Sequence, residues 1–124
     1  MSSSSIQRAA ERYALDSIAI VRGVGAQVFK LRDLSELGVF MWSSTRPLFD
    51  LRLGRTFDVD LFTHDESMRC HAVIVRLVEP GTREAFRHPH GFAARLIYGD
   101  QTRPRIRELV RDARRARGTQ PPPR

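Results

Sequence analysis

"LRDLSELGVF", residues 31–40, decides how the rest of the chain is read. Asp33, Ser35 and Gly38 interrupt an otherwise apolar run, which suits a tight connection between two strands. Asp and Ser side chains accept hydrogen bonds from backbone N–H groups in a turn, and Gly38 permits either a positive φ or a close backbone approach. Immediately upstream, "QVFKLR" (27–32) alternates Val28, Lys30 and Arg32 against Phe29 and Leu31, the period-2 pattern of a strand. Downstream, "GVFMW" (38–42) is the next strand, and "DSIAIVRG" (16–23) is the strand before both.

The pattern continues towards the C-terminus. "RTFDVDLFT" (55–63) sets Phe57, Val59 and Leu61 on one side and Asp58 and Asp60 on the other, which reads as a strand with one face in the core and one in water. From Met68 to Val78 both parities are apolar, Ala72, Ile74 and Val78 on one and Val73, Val75 and Leu77 on the other, so both faces of this strand are expected to be covered. A last run, "HGFAARLIYG" (90–99), precedes one helical pattern over 103–117. There Ile106, Leu109, Val110 and Ala113 fall at i, i+3, i+4 and i+7 and make one apolar stripe. Thr102 and Pro104 supply start signals and Gly118 a stop. The expected fold class is all-β: six strands forming a small antiparallel barrel, with the C-terminal helix over its open end or outer face.

Composition sets limits on function. A chain of 124 residues with 41% hydrophobic residues has room for one core. Residues 1–7 are Ser-rich and expected to be a flexible arm, residues 8–117 the folded domain, and 118–124, "GTQPPPR", a disordered tail. No run approaches the roughly eighteen apolar residues of a membrane span, and "MSSSSIQRAAER" lacks the basic-then-apolar order of a secretory signal. A soluble cytoplasmic protein with no membrane span is the expectation. Cys70 has no cysteine partner in this chain and sits in an apolar run, which suits a small buried hydrophobe rather than a reactive thiol.

The formal net charge is +7, but eight arginines against Glu108 and Asp112 put +6 of it in residues 103–124, which leaves +1 for the rest. A near-neutral body argues against a broad groove that tracks nucleic-acid phosphates. Arg107, Arg111, Arg114, Arg115 and Arg117 on the helix keep binding of nucleic acid or an acidic membrane surface as an alternative; the competing view is a solvated outer face opposite the apolar stripe. His64, His71, His88 and His90 do not form a compact Cys/His framework, so no metal and no cofactor is expected. Alternation accounts for Asp58 and Asp60, and there is neither a nucleophile elbow nor a Gly-rich phosphate loop, so the chain does not read as an enzyme.

One further motif gives the turn a partner. "RAAER" (8–12) carries Arg8 and Arg12 about twenty residues upstream of Asp33 and just before the first strand. The spacing alone says little, because it recurs at Arg83 and Arg87 and along the C-terminal helix. The order carries the information: R-x-x-x-R leading into a first strand, then D-x-S-x-x-G at the second turn of an antiparallel barrel, resembles the PilZ domain family, from about Arg8 to the end of the helix.

The resemblance implies a six-stranded barrel with a C-terminal helix that acts as a receptor for the bacterial second messenger cyclic di-GMP, with no catalytic step. It implies that Arg8 and Arg12 take phosphate and guanine contacts, that Asp33 and Ser35 hydrogen-bond the guanine edge and the backbone that shapes the pocket, and that Gly38 leaves room for the ligand. Arginine suits such a ligand, since its guanidinium forks onto phosphate oxygens or guanine O6 and N7 and stacks on bases. In the family the residue before the first arginine, here Gln7, bears on whether one or two ligands bind. The resemblance also implies an effector protein that reads the bound form. Its alternative is a family member that has lost the ligand and works as a protein–protein adaptor.

Overall fold

A computed structural model describes residues 17–22 and 25–118. Six antiparallel strands close into a barrel in the order β1-β2-β3-β6-β5-β4, with β1 pairing back to β4. They are β1 (Ile18–Arg22), β2 (Ala26–Leu34), β3 (Gly38–Trp42), β4 (Thr56–Phe62), β5 (Ser67–Leu77) and β6 (Phe92–Ile97). A short helix α1 (Arg83–Arg87) lies between β5 and β6, and α2 (Arg103–Gly118) follows β6. The expected six strands and C-terminal helix are therefore present, and α1 is an element that the periodicity did not disclose. Its signal was local: Thr82 caps it by accepting a hydrogen bond from the Ala85 N–H at 3.1 Å. None of its residues is buried, so no apolar stripe marked it.

Alternation fills the barrel. Ala19, Val21, Phe29, Leu31, Val39, Met41, Val59, Leu61, Ala72, Ile74, Phe92 and Ala94 point inward and are buried. Phe29, Phe49, Phe57 and Phe92 form a contiguous aromatic cluster with ring centroids 5.5–6.1 Å apart, several of them edge-on. Phe49 comes from the long β3–β4 connection, which Gln27 holds in place: its side-chain amide donates to the Thr45 and Arg46 carbonyls and its oxygen accepts from the Leu48 N–H at 2.7 Å. This connection closes one end of the barrel.

The other end belongs to α2. Since β1 runs antiparallel to both β2 and β4, the start of β1, the β2–β3 turn and the β4–β5 turn all lie at one end. Ile106, Leu109, Val110 and Ala113 are all buried there, which resolves the choice between end and outer face in favour of the end. Polar ties fix the helix. The Asp112 carboxylate is buried and accepts from the Thr63 hydroxyl at 2.6 Å and the Asp65 N–H at 2.7 Å, while Arg105 donates to the Ser67 carbonyl at 2.6 Å.

Two expectations from parity need correction. On β5, Cys70, Ala72 and Ile74 are inward, but Val73 is only half-buried and Val75 is 53% exposed. A β-bulge between Ile74 and Arg76 moves the inward position to Leu77, which packs against the core. Both parities read as apolar because the inward one changes within the strand, not because both faces are covered. On β4, Asp58 is exposed, whereas Asp60 is buried under Arg22 and Arg69, which donate to its carboxylate at 2.6 and 2.8 Å. The bond from Arg69, opposed by burial and supported by Arg22, holds Asp60 below the usual carboxylate range. Cys70 matches its expected role: burial first, then the nearby Asp60 and Asp58 charges, pushes its thiol up to about 12.

Candidate functional site

The β2–β3 turn brings Asp33, Ser35 and Gly38 together at the end of the barrel that α2 covers. Ser35 organises it. Its hydroxyl oxygen accepts from the Leu37 and Gly38 N–H groups at 3.3 and 3.2 Å, and its backbone N–H donates to the Gly38 carbonyl at 2.9 Å. Tyr98 donates to the Glu36 carbonyl at 2.7 Å, and Arg107 pairs with the Glu36 carboxylate at 2.6 Å. The turn is therefore held from β6, from the segment after it, and from α2.

Gly38 is explained by close approach, not by φ, because it does not lie in the left-handed region. A Cβ at this position would stand 2.6 Å from the Ala94 carbonyl oxygen, on the backbone of the neighbouring strand. The glycine thus lets β3 and β6 pair at the turn, whatever else it admits.

Asp33 owes its direction to a second bulge. Leu31 pairs with Met41 and Asp33 with Phe40, so Arg32 is the extra residue and both Arg32 and Asp33 face outward. Asp33 is well exposed, and its carboxylate accepts from the Arg32 Nε at 2.8 Å. Arg8 and Arg12, the other half of the sequence motif, and Gln7 lie outside the described residues.

Beside Asp33 the tertiary structure assembles a face that the motif did not predict. Val39 and Met41 point inward, so Phe40 and Trp42 point out of the barrel. Phe40 is nevertheless only 4% exposed, because the Arg32 guanidinium lies 3.7 Å from its ring centroid and His88 meets it edge-on. Lys30 Nζ stands 5.0 Å from the Trp42 ring, and His88 also packs edge-on against Trp42. Glu84 of α1 ties the face together by accepting from Arg76 at 3.0 Å and Arg32 at 3.1 Å. Those bonds, Arg76 first, pull its carboxyl down to about 2. Burial, reinforced by the Arg32 charge, lowers the His88 pKa and favours the neutral ring. Lys30 and Arg32 were visible as the outward parity of β2, but the union of cations and aromatic rings next to Asp33 depends on β3, β5 and α1.

His88 closes α1 and packs against Phe40 and Trp42 on the outer side of the barrel, and His90 sits exposed in a turn with φ 54°. Among the described residues, no cluster of His, Cys, Asp and Glu has the makings of a metal site. No helix among them is long and apolar enough to cross a membrane.

Comparison with known family models and with curated proteins finds no match for this sequence. The architecture does find one: a closed six-stranded antiparallel barrel with a C-terminal helix is the PilZ-like fold, and this chain has it. The chain is similar to the solved PilZ domain of YcgR from Escherichia coli with c-di-GMP, with a TM-score of 0.63 and 15% sequence identity over 84% of this chain and 88% of that one. At this identity the likeness is one of fold.

Proposed function

We propose that the chain is a receptor domain for cyclic di-GMP that acts through binding alone and signals to a partner by a change of conformation. The observation that carries this reading is where the first strand begins. Ser17, in the left-handed region at φ 65°, accepts from the Leu31 N–H at 3.2 Å, so the described chain begins beside β2, two residues along that strand from Asp33. Arg12 precedes Ser17 by five residues, a separation that extended chain spans in at most about 18 Å. This short separation between Arg12 and the barrel supports one ligand meeting both halves of the motif.

The exposed face supports the same chemistry. Two phosphates require cations, which Arg8, Arg12, Lys30 and Arg32 offer. Guanines require hydrogen-bond acceptors for N1–H and N2–H, and the Asp33 carboxylate is exposed and directed outward. Partly exposed Trp42 offers a surface for a base to stack on. A ligand bridging the N-terminal segment and the turn would order that segment over the barrel, and its ordering is the signal a partner reads. The solved PilZ domain with c-di-GMP, similar in fold, is in keeping with this reading.

The test is calorimetric titration of the full chain with cyclic di-GMP, using GTP as the control. Saturable binding is expected, and Arg8→Ala or Arg12→Ala should each weaken it by about ten- to a hundredfold, since a charge-assisted hydrogen bond contributes about 1.5–3 kcal/mol. Silence in calorimetry and in a second, heat-independent method would overturn the receptor reading. Unchanged affinity in both arginine variants would overturn the site.

A further inference from the structure

A groove of about 440 Å³ lies between the β2–β3 turn and α2. Its helix side carries Arg107, Arg111 and Arg114, at i, i+4 and i+7, so their guanidiniums share one face. Its turn side carries Leu37, 79% exposed, and Glu36. Buried Val110 forms part of the floor. The charges do not balance. Glu36 pairs with Arg107 at 2.6 Å, while Arg111 and Arg114 make no hydrogen bond or ion pair among the described residues.

From this imbalance we infer that the groove is the docking site for a partner protein, and that its occupant is an extended acidic segment carrying an apolar residue. Glu36 already demonstrates the fit: a carboxylate on a short chain reaches a groove arginine in good geometry. Along α2, Arg107 and Arg111 are separated by about 6 Å of axial rise, and Arg111 and Arg114 by about 4.5 Å. Alternate side chains of an extended segment repeat every ~6.6 Å on one face, so two acidic residues spaced by one can meet Arg111 and Arg114, whose long side chains take up the difference. Leu37, standing in water, gives the segment an apolar anchor, and its burial supplies the non-electrostatic part of binding.

The same features disfavour nucleic acid. Among the described residues that line the groove there is no aromatic ring for a base to stack on. The groove is also local, in a chain whose first 102 residues carry only +1 of the net charge.

The inference deepens the receptor reading and rests on it for one point: Ser35, whose hydroxyl closes the turn, also lines the groove, so a ligand that reshapes the turn alters the docking surface. The experiment selects a phage-displayed random dodecapeptide library on the full chain, then measures an enriched, fluorescein-labelled peptide by polarisation. Acidic sequences with an apolar residue should be enriched. Their affinity should fall at least tenfold in the Arg111→Glu/Arg114→Glu variant and severalfold in Leu37→Ser, and the milder Arg111→Ala/Arg114→Ala variant guards against misfolding.

Enrichment of peptides without carboxylates, no enrichment above bare support, or equal binding by the charge-reversed variant would overturn the inference. So would equally strong competition by a single-stranded oligothymidylate. Cyclic di-GMP titrations on the same proteins separate the two readings. Peptide binding that depends on Arg111 and Leu37 in a chain that does not bind cyclic di-GMP would uphold the docking site and remove the receptor reading.

Discussion

Gly38→Ala tests whether the glycine of the turn motif serves the barrel before any ligand arrives. An added Cβ would lie 2.6 Å from the Ala94 carbonyl oxygen, 3.5 Å from the Ala94 carbonyl carbon and 3.6 Å from the Arg95 Cα. Carbon–oxygen contacts between strands settle at about 3.3 Å or more, so β3 and β6 must part locally by about 0.7 Å. The obstacle is backbone, which cannot rotate away as a side chain would, and a ladder hydrogen bond lengthened by that amount is effectively lost. Overpacking of this kind costs about 1–3 kcal/mol, and about 2 kcal/mol in a domain of this size lowers Tm by roughly 8 °C. Scanning calorimetry and urea unfolding of the ligand-free variant measure it, with the urea midpoint expected about 1 M lower. A ligand-free Tm within about 1 °C of the parent chain, with weakened cyclic di-GMP binding, would refute the reasoning and leave ligand clearance as the reason for the glycine.

Other outcomes follow from the same geometry. Asp112→Ala should cost about 2–4 kcal/mol, because the Thr63 hydroxyl and the Asp65 N–H lose a charged acceptor in a buried place; equilibrium unfolding measures it. Burial alone pushes Asp112 upward, but the bonds from Thr63 and Asp65 outweigh it and hold its carboxyl below the usual range. Its contribution is thus complete above the unfolded value of 3.8 and is lost as pH falls through the lower folded one, and Asp112→Asn should flatten that part of the stability–pH curve. Cys70 should resist alkylation at neutral pH until the chain is unfolded by denaturant, and rapid labelling of the native protein would contradict its burial. Glu84 should titrate near 2 by NMR, and Arg76→Ala should raise that midpoint; an ordinary midpoint in the parent chain would mean that α1 is not pinned to the barrel by these ion pairs.

The sequence was informative where the cause of structure is local. Alternation from Val28 to Arg32 and from Phe57 to Leu61 identified strands, the Ile106–Ala113 stripe identified the helix, and Ser35 and Gly38 identified the turn, because each pattern is written in neighbouring residues. The site was legible only as a motif, and its Arg8 and Arg12 half lies outside the described residues.

What the tertiary structure decided involves residues distant in the chain. Asp58 and Asp60 look alike in sequence, yet only Asp60 meets both Arg22 and Arg69, 38 and 9 residues away. Asp112 sits among arginines on a helix, and only the docking of that helix on the β4–β5 turn makes it a buried acceptor. The bulges at Leu31/Asp33 and Ile74/Arg76 change which parity faces the core, and they arise from register against partner strands that no single strand records. The cation and aromatic face of Lys30, Arg32, Phe40 and Trp42, and the arginine groove beside Leu37, exist for the same reason. Periodicity specifies which side of an element seeks the core, while barrel closure and helix docking specify what stands opposite the other side.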